Sequence, residues 1–382
     1  MKPIYVVGAG LWGAVIAERI SSELARPVRL IEKRPQSGGN CHSAVDPDSG
    51  VECHCYGSHI FHTSDETVWR YIRRFTTFND YRHRVLTSFR QQVYPLPINL
   101  MTINQFYRKN LSPDAARALL ASEAARDTGH PPRNFEEKAV SLVGRPLYEA
   151  FFRGYTLKQW QRDPRELPAE LISRLPLRFH YQDRYFADCY EGIPLDGYAA
   201  LFRQLLANPL IELELNTDFR ERRDSLPPDA IICYSGRLDA YFDYRFGRLE
   251  WRTVRFEIEH PDTADYQGCS VMNYADAEIP YTRIHEFKHY HPERPDTGRT
   301  VIYKEYSQTT GPEDEPYYPV DTPDNRRKAA EYRQLAAQTP GLFIGGRLGN
   351  YRYFDMDDTI ADALREYETN LKPYLLAERE TS

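Results

Sequence analysis

The sequence predicts an α/β fold. A parallel sheet is assembled from separated segments, with a mainly helical insertion and a second, antiparallel sheet. Three observations lead to this. The chain opens in the order strand, glycine-rich loop, helix, strand, acid. A long middle stretch has helical spacing. Two later stretches are dense in Tyr, Phe, Thr, Val and Ile, with turn residues between them.

The opening unit is the most specific. Pro3-Ile4-Tyr5-Val6-Val7 is short, apolar and β-branched, and Gly8-Ala9-Gly10-Leu11-Trp12-Gly13 follows it. Ala14 to Leu24 is helical in pattern, and Val28-Arg29-Leu30-Ile31 leads into Glu32. This is the order of a Rossmann-like dinucleotide-binding unit. Gly8, Gly10 and Gly13 let the backbone turn, approach a pyrophosphate and pack helix on strand, while Glu32 takes a ribose hydroxyl. The helix N-terminus offers unpaired N–H groups to phosphate. An acid at Glu32 repels a 2′-phosphate, which argues against NADP here. Lys33-Arg34 and Gly38-Gly39-Asn40 bring a second stretch of backbone to the same ligand.

Bulk properties narrow the class. Length alone, 382 residues, gives two or three domains, and 41% hydrophobic with 27% charged residues suits a soluble chain with a real core. The net charge of −6 and the scattered Lys and Arg argue against nucleic acid. No apolar run reaches the roughly 18 residues of a membrane span. The chain enters its first strand at once, which leaves no room for a signal peptide, so a cytoplasmic location is expected. The 28 tyrosines combine flat apolar area with a hydroxyl, which suits sugar and phosphate sites as well as cores. Cys41-His42 and Cys53-His54-Cys55, with His59 and His62 nearby, have the residue types of a metal site. Cys-x-Cys is not structural-zinc spacing, however, so Cys41, Cys53, Cys55, Cys189, Cys233 and Cys269 are expected to be free thiols with no metal.

Along the chain, Ser64-Asp65-Glu66-Thr67 caps a helix running to Phe75, and Val85 to Tyr94 reads as a strand broken at Pro95. Ser112-Pro113 starts a helix, and Phe135 to Val143 and Pro146 to Leu157 have helical spacing. Leu177 to Tyr190 and Trp251 to Tyr306 read as antiparallel strands. Ala230 to Gly236 and Leu342 to Arg347 read as returns to the nucleotide fold. Asp357-Asp358-Thr359 opens a helix, and the tail from Ala377 is expected to fray. The expected division is a discontinuous nucleotide-binding domain (residues 1–80, 191–250 and 311–382), a helical domain (100–175) and an antiparallel sheet domain (81–99, 176–190 and 251–310).

The basic pair and glycine pair after Glu32 resemble FAD-binding enzymes of the disulfide-reductase and amine-oxidase kind. Further segments make the resemblance narrower: Val7 to Ala14, Ile31 to Arg34, Gly38 to Asn40, Tyr56-Gly57-Ser58-His59-Ile60-Phe61-His62-Thr63, Gly154 to Trp160, Tyr241 to Gly247, Pro280 to Arg283, Glu315 to Val320, Gly345-Gly346-Arg347 and Tyr353 to Met356. In this order, over nearly the whole chain, they resemble the bacterial UDP-galactopyranose mutases. The resemblance implies an FAD-binding Rossmann-like domain and an isomerase that interconverts UDP-galactopyranose and UDP-galactofuranose with no net redox change. The galactofuranose would supply cell-surface glycans. In that family FAD must be reduced: flavin N5 attacks the anomeric carbon, UDP leaves, the sugar opens through an iminium and recloses through its 4-hydroxyl, and UDP returns. An external reductant such as NAD(P)H and a homodimer are implied by the family alone.

The resemblance also assigns roles. Arg174 and Arg283 match pyrophosphate-binding arginines, whose forked donors fit phosphate oxygens. Tyr185, Tyr317 and Tyr353 match phosphate-contacting phenols. Phe151, Phe152, Tyr155 and the turn from Thr156 to Trp160 match the uracil site, with Asn273 and Asp355 on the substrate side. His62 matches a histidine near flavin N5 and Arg347 an arginine near the flavin, while Gly57 and His59 match backbone neighbours of its ring. Gly8, Gly10, Leu11, Trp12, Gly13, Glu32, Lys33, Gly39, Asn40, Ile60, Met356 and Asp357 complete the cofactor set. Asp358 reads as a helix N-terminal acid. Arg174 is expected to ride a loop that closes over substrate. Three departures stand out. Gln161 replaces a glycine, His83 or Arg84 falls where an Asn is usual, and Cys53-His54-Cys55 is not a family feature. They bear on the choice of sugar, galactose against N-acetylgalactosamine.

Two other classes share parts of this pattern. A flavin oxidoreductase of the amine-oxidase kind would consume reductant in step with product and would need an apolar tunnel. A non-enzymatic binding module would carry no visible flavin.

Overall fold

The computed structural model describes the chain apart from residues 128–129, 173–176, 312–313 and 382 and the side chains of residues 379–381. Its first layer is a five-stranded, wholly parallel sheet in the order Leu342–Ile344, Ile231–Tyr234, Ile4–Val7, Val28–Ile31, Ile211–Glu214. The central strand is buried throughout, as parallel strands covered on both faces must be. The first helix, Leu11–Leu24, lies against it through Leu11, Trp12, Val15, Ile16 and Ile20. Gly13 permits that approach, because a Cβ there would fall 1.9 Å from the Gly8 carbonyl oxygen. Gly8 itself turns the chain at φ +94°.

The second sheet has seven strands: Tyr318–Pro319, Trp251–Glu259, Ile302–Thr309, Arg283–Glu286, Val271–Tyr274, Val85–Phe89 and Gln92–Leu96. Directly paired residues share a face, so one row runs Phe256, Glu305, Arg283, Asn273, Thr87, Tyr94 across six strands.

Helices Leu100–Tyr107, Pro113–Ala125 and Phe135–Leu147 form the insertion, capped by Asn99, Ser112 and Asn134. A π-turn, Tyr148–Arg153, leads into helix Gly154–Trp160. That helix is pressed onto the second sheet. A Cβ at Gly154 would fall 2.2 Å from the Ala275 carbonyl oxygen, and Lys158 Nζ donates to the carbonyls of Tyr274, Asp276 and Tyr281.

Four expectations are corrected. Val85 to Tyr94 is a hairpin, not one strand. Arg90 and Gln91 turn it at φ 49° and 60°, and Pro95 lies inside the second strand rather than ending it. Edge placement explains this, since that strand's outer side needs no N–H donor. Leu177 to Cys189 forms no strand among the described residues. Its aromatics serve as packing groups instead, Phe179 against the helical core and Phe186 stacked on His62. The second sheet is mixed rather than antiparallel, because Val271–Tyr274 pairs in parallel with Val85–Phe89. The tail does not fray at Ala377: helix Lys372–Thr381 continues, held by Glu378 on Arg26 at 2.9 Å.

The hairpin gives a test. Asn and Gly occupy left-handed two-residue turns at less cost than Arg and Gln. The double substitution Arg90→Asn/Gln91→Gly is expected to stabilise the protein by about 0.5–1 kcal/mol, read as a higher urea midpoint at unchanged m-value.

Candidate functional site

The carboxyl ends of the parallel strands open on a cavity of about 320 Å³. Gly8, Gly10, Leu11, Trp12, Glu32, Lys33, Gly39, Asn40, His59, Arg347 and Met356 line it, as the sequence predicts for a dinucleotide site. Two glycine turns meet there, since a Cβ at Gly39 would stand 3.0 Å from Gly10 Cα. The first helix begins at Gly10 with no side-chain cap, so its N–H groups stay available to phosphate. Glu32 accepts from the backbone N–H of Ala9 (2.8 Å) and Arg34 (2.9 Å), which fixes its carboxylate at the rim.

Arg34 lies over the Tyr56 ring at 4.2 Å and pairs with Glu315 at 3.2 Å, yet its Nη1 is buried without a partner. Trp12 Nε1 is likewise buried and unpartnered. Orphaned donors beside facing glycines and an uncapped helix fit a pyrophosphate. Cys41 also lines the cavity, its thiol pushed up to about 12 by burial, which makes it inert.

Other predicted cofactor residues stand off the cavity. Gly13 packs on Gly8, Ile60 is in the core, and Gly57, at φ +93°, faces Phe256. Asp357 bonds Thr63, and burial raises its carboxyl pKa.

Beside the cavity lies a second cluster. Arg283 Nη2 donates to the Tyr155 hydroxyl at 2.7 Å, and its Nε stands 3.1 Å from Glu305. The Glu305 carboxylate and surrounding phenols keep its pKa above the usual value despite burial, so it stays charged. Asn273 is the next residue in the row, with a buried, unpartnered Oδ1. Tyr353 donates to Asp355 at 2.8 Å and lies under Arg347 at 5.2 Å. Tyr317 is buried, and Tyr185 remains 38% exposed beside His83. His62 stacks on Phe186 at 3.6 Å and bonds Asp188 at 2.8 Å.

The structure also separates His83 from Arg84. Burial, with Arg283 nearby, pushes the His83 pKa down to about 3, so the ring is neutral among Tyr185, Phe186 and Arg283. Arg84 is on the surface with Asp183. Gln161 has φ 52°, the left-handed region that favours glycine, and it accepts from Arg252.

Three substrate-set residues sit elsewhere. Phe151 is core, packed on Tyr94 and Phe106, because its face of the π-turn points into the insertion. Thr156 is buried. Trp160 lines a separate cavity of about 420 Å³ with Trp251 and Arg252. Phe152 is half-buried at the edge of that core. Arg174, and the loop expected to move with it, lies outside the described residues. Asp358 accepts from the Asp355 backbone N–H, as a helix-capping acid does.

Sequence reasoning missed Glu305, His285 and Tyr318. Tyr318 stacks on Tyr353 at 6.0 Å. The adjacent Tyr317-Tyr318 pair was its signal, since neighbours in a strand face opposite ways.

Fold and cavity together define an α/β enzyme of the dinucleotide-binding kind, with a cluster of arginine and tyrosine side chains beside the cavity. A family model for NAD(P)-binding Rossmann-like domains matches residues 6–75, and one for UDP-galactopyranose mutase matches residues 150–353. The chain is 45% identical over 366 residues to a probable UDP-galactopyranose mutase of Klebsiella pneumoniae, covering 95% of this chain and 93% of the relative. It is 42% identical over 368 residues to a dTDP-fucopyranose mutase of Escherichia coli, covering 95% and 97%. Among solved structures, a reduced UDP-galactopyranose mutase superposes with TM-score 0.71 at 17% identity, covering 97% of this chain and 96% of the other. The chain belongs to the UDP-galactopyranose mutase family and is an isomerase.

Two outcomes test this geometry. Gly13→Ala must part helix and strand, and is expected to cut the dinucleotide retained through purification roughly tenfold, measured on nucleotide released by denaturation. Burial lowers the Lys158 pKa to about 8, below its value in the unfolded chain. Between that pH and about 10.5 the unfolded chain therefore binds the extra proton. The stability of the wild type relative to Lys158→Met is expected to rise with pH across that window and to be flat below it, as read by urea unfolding at each pH.

Proposed function

We propose that the chain interconverts UDP-galactopyranose and UDP-galactofuranose with FAD as its dinucleotide, active when reduced. One observation carries this reading: the guanidinium of Arg283 is ringed by phenols next to a dinucleotide cavity. A diphosphate held there brings its sugar to the cofactor. The relatives at 45% and 42% identity, a probable UDP-galactopyranose mutase and a dTDP-fucopyranose mutase, support it.

Gly8, Gly10, Glu32, Gly39, Asn40, Arg34 and Arg347 would hold FAD, and reduced FAD supplies a nucleophilic nitrogen without being consumed. Arg283, with Arg174 as a second guanidinium, binds the diphosphate and takes up the charge that grows as it leaves. Tyr155, Tyr185 and Tyr317 donate hydrogen bonds to its oxygens, and Tyr353, whose one hydroxyl proton goes to Asp355, donates there only if that bond is released. Phe152 and Asn273 lie toward the base and sugar, and Asp355 orients Tyr353. His62, held by Asp188 and Phe186, presents Nε2 to the sugar side. The neutral His83 faces the hexose and bears on its substituents, including the 6-position at which fucose lacks a hydroxyl. The enzyme acts in the cytoplasm as a homodimer, takes its electrons from NAD(P)H and supplies galactofuranose for cell-surface glycans.

The test is incubation of purified protein with UDP-galactofuranose or with a dTDP-fucose substrate, with and without dithionite, followed by product separation. Interconversion of the UDP-sugar only after reduction is expected. Arg283→Ala is expected to lower kcat/KM by about 10²–10³, and Arg283→Lys to recover only part of it. A protein that purifies without flavin, or that consumes reductant in step with product, would overturn the reading. Preference for the dTDP-sugar would move the substrate and leave the reaction standing.

A further inference from the structure

Glu305 and His285 belong to no set the sequence picked out, yet both are almost wholly buried and both lead to Arg283. Glu305 is the direct cross-strand partner of Arg283, and His285 lies two residues along the same strand on the same face. One Glu305 oxygen stands 3.1 Å from Arg283 Nε and accepts from Thr282 Oγ1 at 3.2 Å. The other is 2.9 Å from His285 Nε2.

Burial pushes the Glu305 pKa up, but Arg283 and His285 outweigh it and hold the carboxyl at about 2, so it is ionised. An ionised carboxylate only accepts, which places the proton of His285 on Nε2. Burial keeps that ring neutral, so Nδ1 must accept, and Ser58 Oγ donates to it at 2.5 Å. Ser58 Oγ in turn accepts from the Tyr290 hydroxyl. Every donor in the chain Tyr290, Ser58, His285, Glu305 therefore points toward the carboxylate. Ser58 sits between Gly57, whose Cβ would stand 3.9 Å from Glu305, and His59, which lines the dinucleotide cavity. Nη2 of Arg283 is taken by Tyr155, and Nε lies within ion-pair distance of Glu305 without a hydrogen bond, so charge holds that side and Nη1 is the edge left to an incoming ligand among the described residues.

We propose that Glu305 and His285 are positioning residues. They aim the free edge of Arg283 at the diphosphate and tie it to the Gly57-Ser58-His59 turn at the dinucleotide cavity. The proposal rests on the reading of Arg283 as a diphosphate ligand. It also gives the carboxylate a second effect, because it offsets the Arg283 charge in the ligand-free site.

Glu305→Gln is the informative change. An amide accepts at one end and donates at the other, so it satisfies Arg283 or His285 but not both without reversing the chain. In holoenzyme, kcat for the UDP-sugar is expected to fall at least roughly tenfold. The Kd of UDP, from titration of the flavin spectrum, is expected to stay equal or tighten severalfold as the counter-charge is lost. His285→Phe keeps the ion pair and breaks the link to Ser58. It is expected to leave the Kd of UDP within about threefold and to speed loss of flavin on dilution at least roughly fivefold.

A merely structural role predicts instead that UDP affinity and kcat fall together with Tm, and that pattern overturns the proposal. Wild-type kcat in Glu305→Gln, or unchanged flavin loss in His285→Phe, overturns it equally. If Glu305→Gln does not fold, the His285→Phe result decides. Arg283→Ala serves as the control: unchanged UDP affinity in that variant would refute the diphosphate reading itself, whereas loss of affinity there with no effect of Glu305→Gln or His285→Phe refutes the positioning role alone.

Discussion

A buried carboxylate needs a cation, and the pairing of Glu305 with the half-buried Arg283 is the contact on which the second half of the molecule is organised. Leaving either charge alone in a low-dielectric interior costs several kcal/mol. The two strands that supply the pair are therefore held in one register. That register extends through Asn273 to Thr87, so the parallel pairing with Val85–Phe89 places the segment just before that strand, with His83, beside the same guanidinium. Tyr155 arrives from the helical insertion and closes the ring from above. The insertion is locked by Gly154 against Ala275 and by Lys158 on three carbonyls, so the phenol is placed by backbone contacts and not by a flexible loop.

The first sheet meets a different constraint, which is close approach. Gly8, Gly13 and Gly39 act by lacking a Cβ, at a turn, at a helix–strand contact and at the crossing with Gly10. Four parallel strands end at the same rim, in Gly8, Glu32, Ser235 and Gly345. The dinucleotide cavity is thus a property of sheet topology, with specificity added by a few side chains such as Glu32 and Arg34. His59 and Arg347 line that cavity while Ser58 and Tyr353 beside them reach His285 and Tyr318 of the Arg283 cluster, so the two regions share a wall.

Legibility followed the range of the interactions. The dinucleotide unit was readable because strand, glycines, helix and acid are consecutive, and Gly8 and Gly13 have local steric reasons. The helical insertion was readable from the Ser112-Pro113 start, whose cap acts within three residues of itself, and from the helical spacing after Phe135, whereas the caps Asn99 and Asn134 and the helix Leu100–Tyr107 were not read. Arg283, Tyr185 and Tyr353 gave no local sign. Only the resemblance pointed to them, because what distinguishes a site arginine from a surface one is the partner across the sheet. Glu305 and His285 escaped for the same reason: nothing near either in sequence indicates the pairing. Leu177 to Tyr190 misled in the other direction, since aromatic density signals burial as well as strand and here it signals packing.

The charge balance of the Arg283 site bears on the proposed chemistry. A diphosphate that must leave a sugar and then return to it cannot be held by unopposed cations. Binding the departed diphosphate too tightly would deepen an intermediate state without lowering the barriers on either side. Setting a carboxylate against the guanidinium lowers ground-state attraction and leaves the donor geometry in place. The growing charge of the leaving oxygen can then be met by Nη1 and by phenols that are already oriented. Surrounding the anion with neutral phenols serves the same end, because hydrogen bonds fall off more steeply with distance than charge–charge attraction and so discriminate better between a bound diphosphate and one bonded to sugar. On this argument Glu305 belongs to the design of a reversible leaving-group site, and the abundance of tyrosine around Arg283 follows from the need for donors without further positive charge.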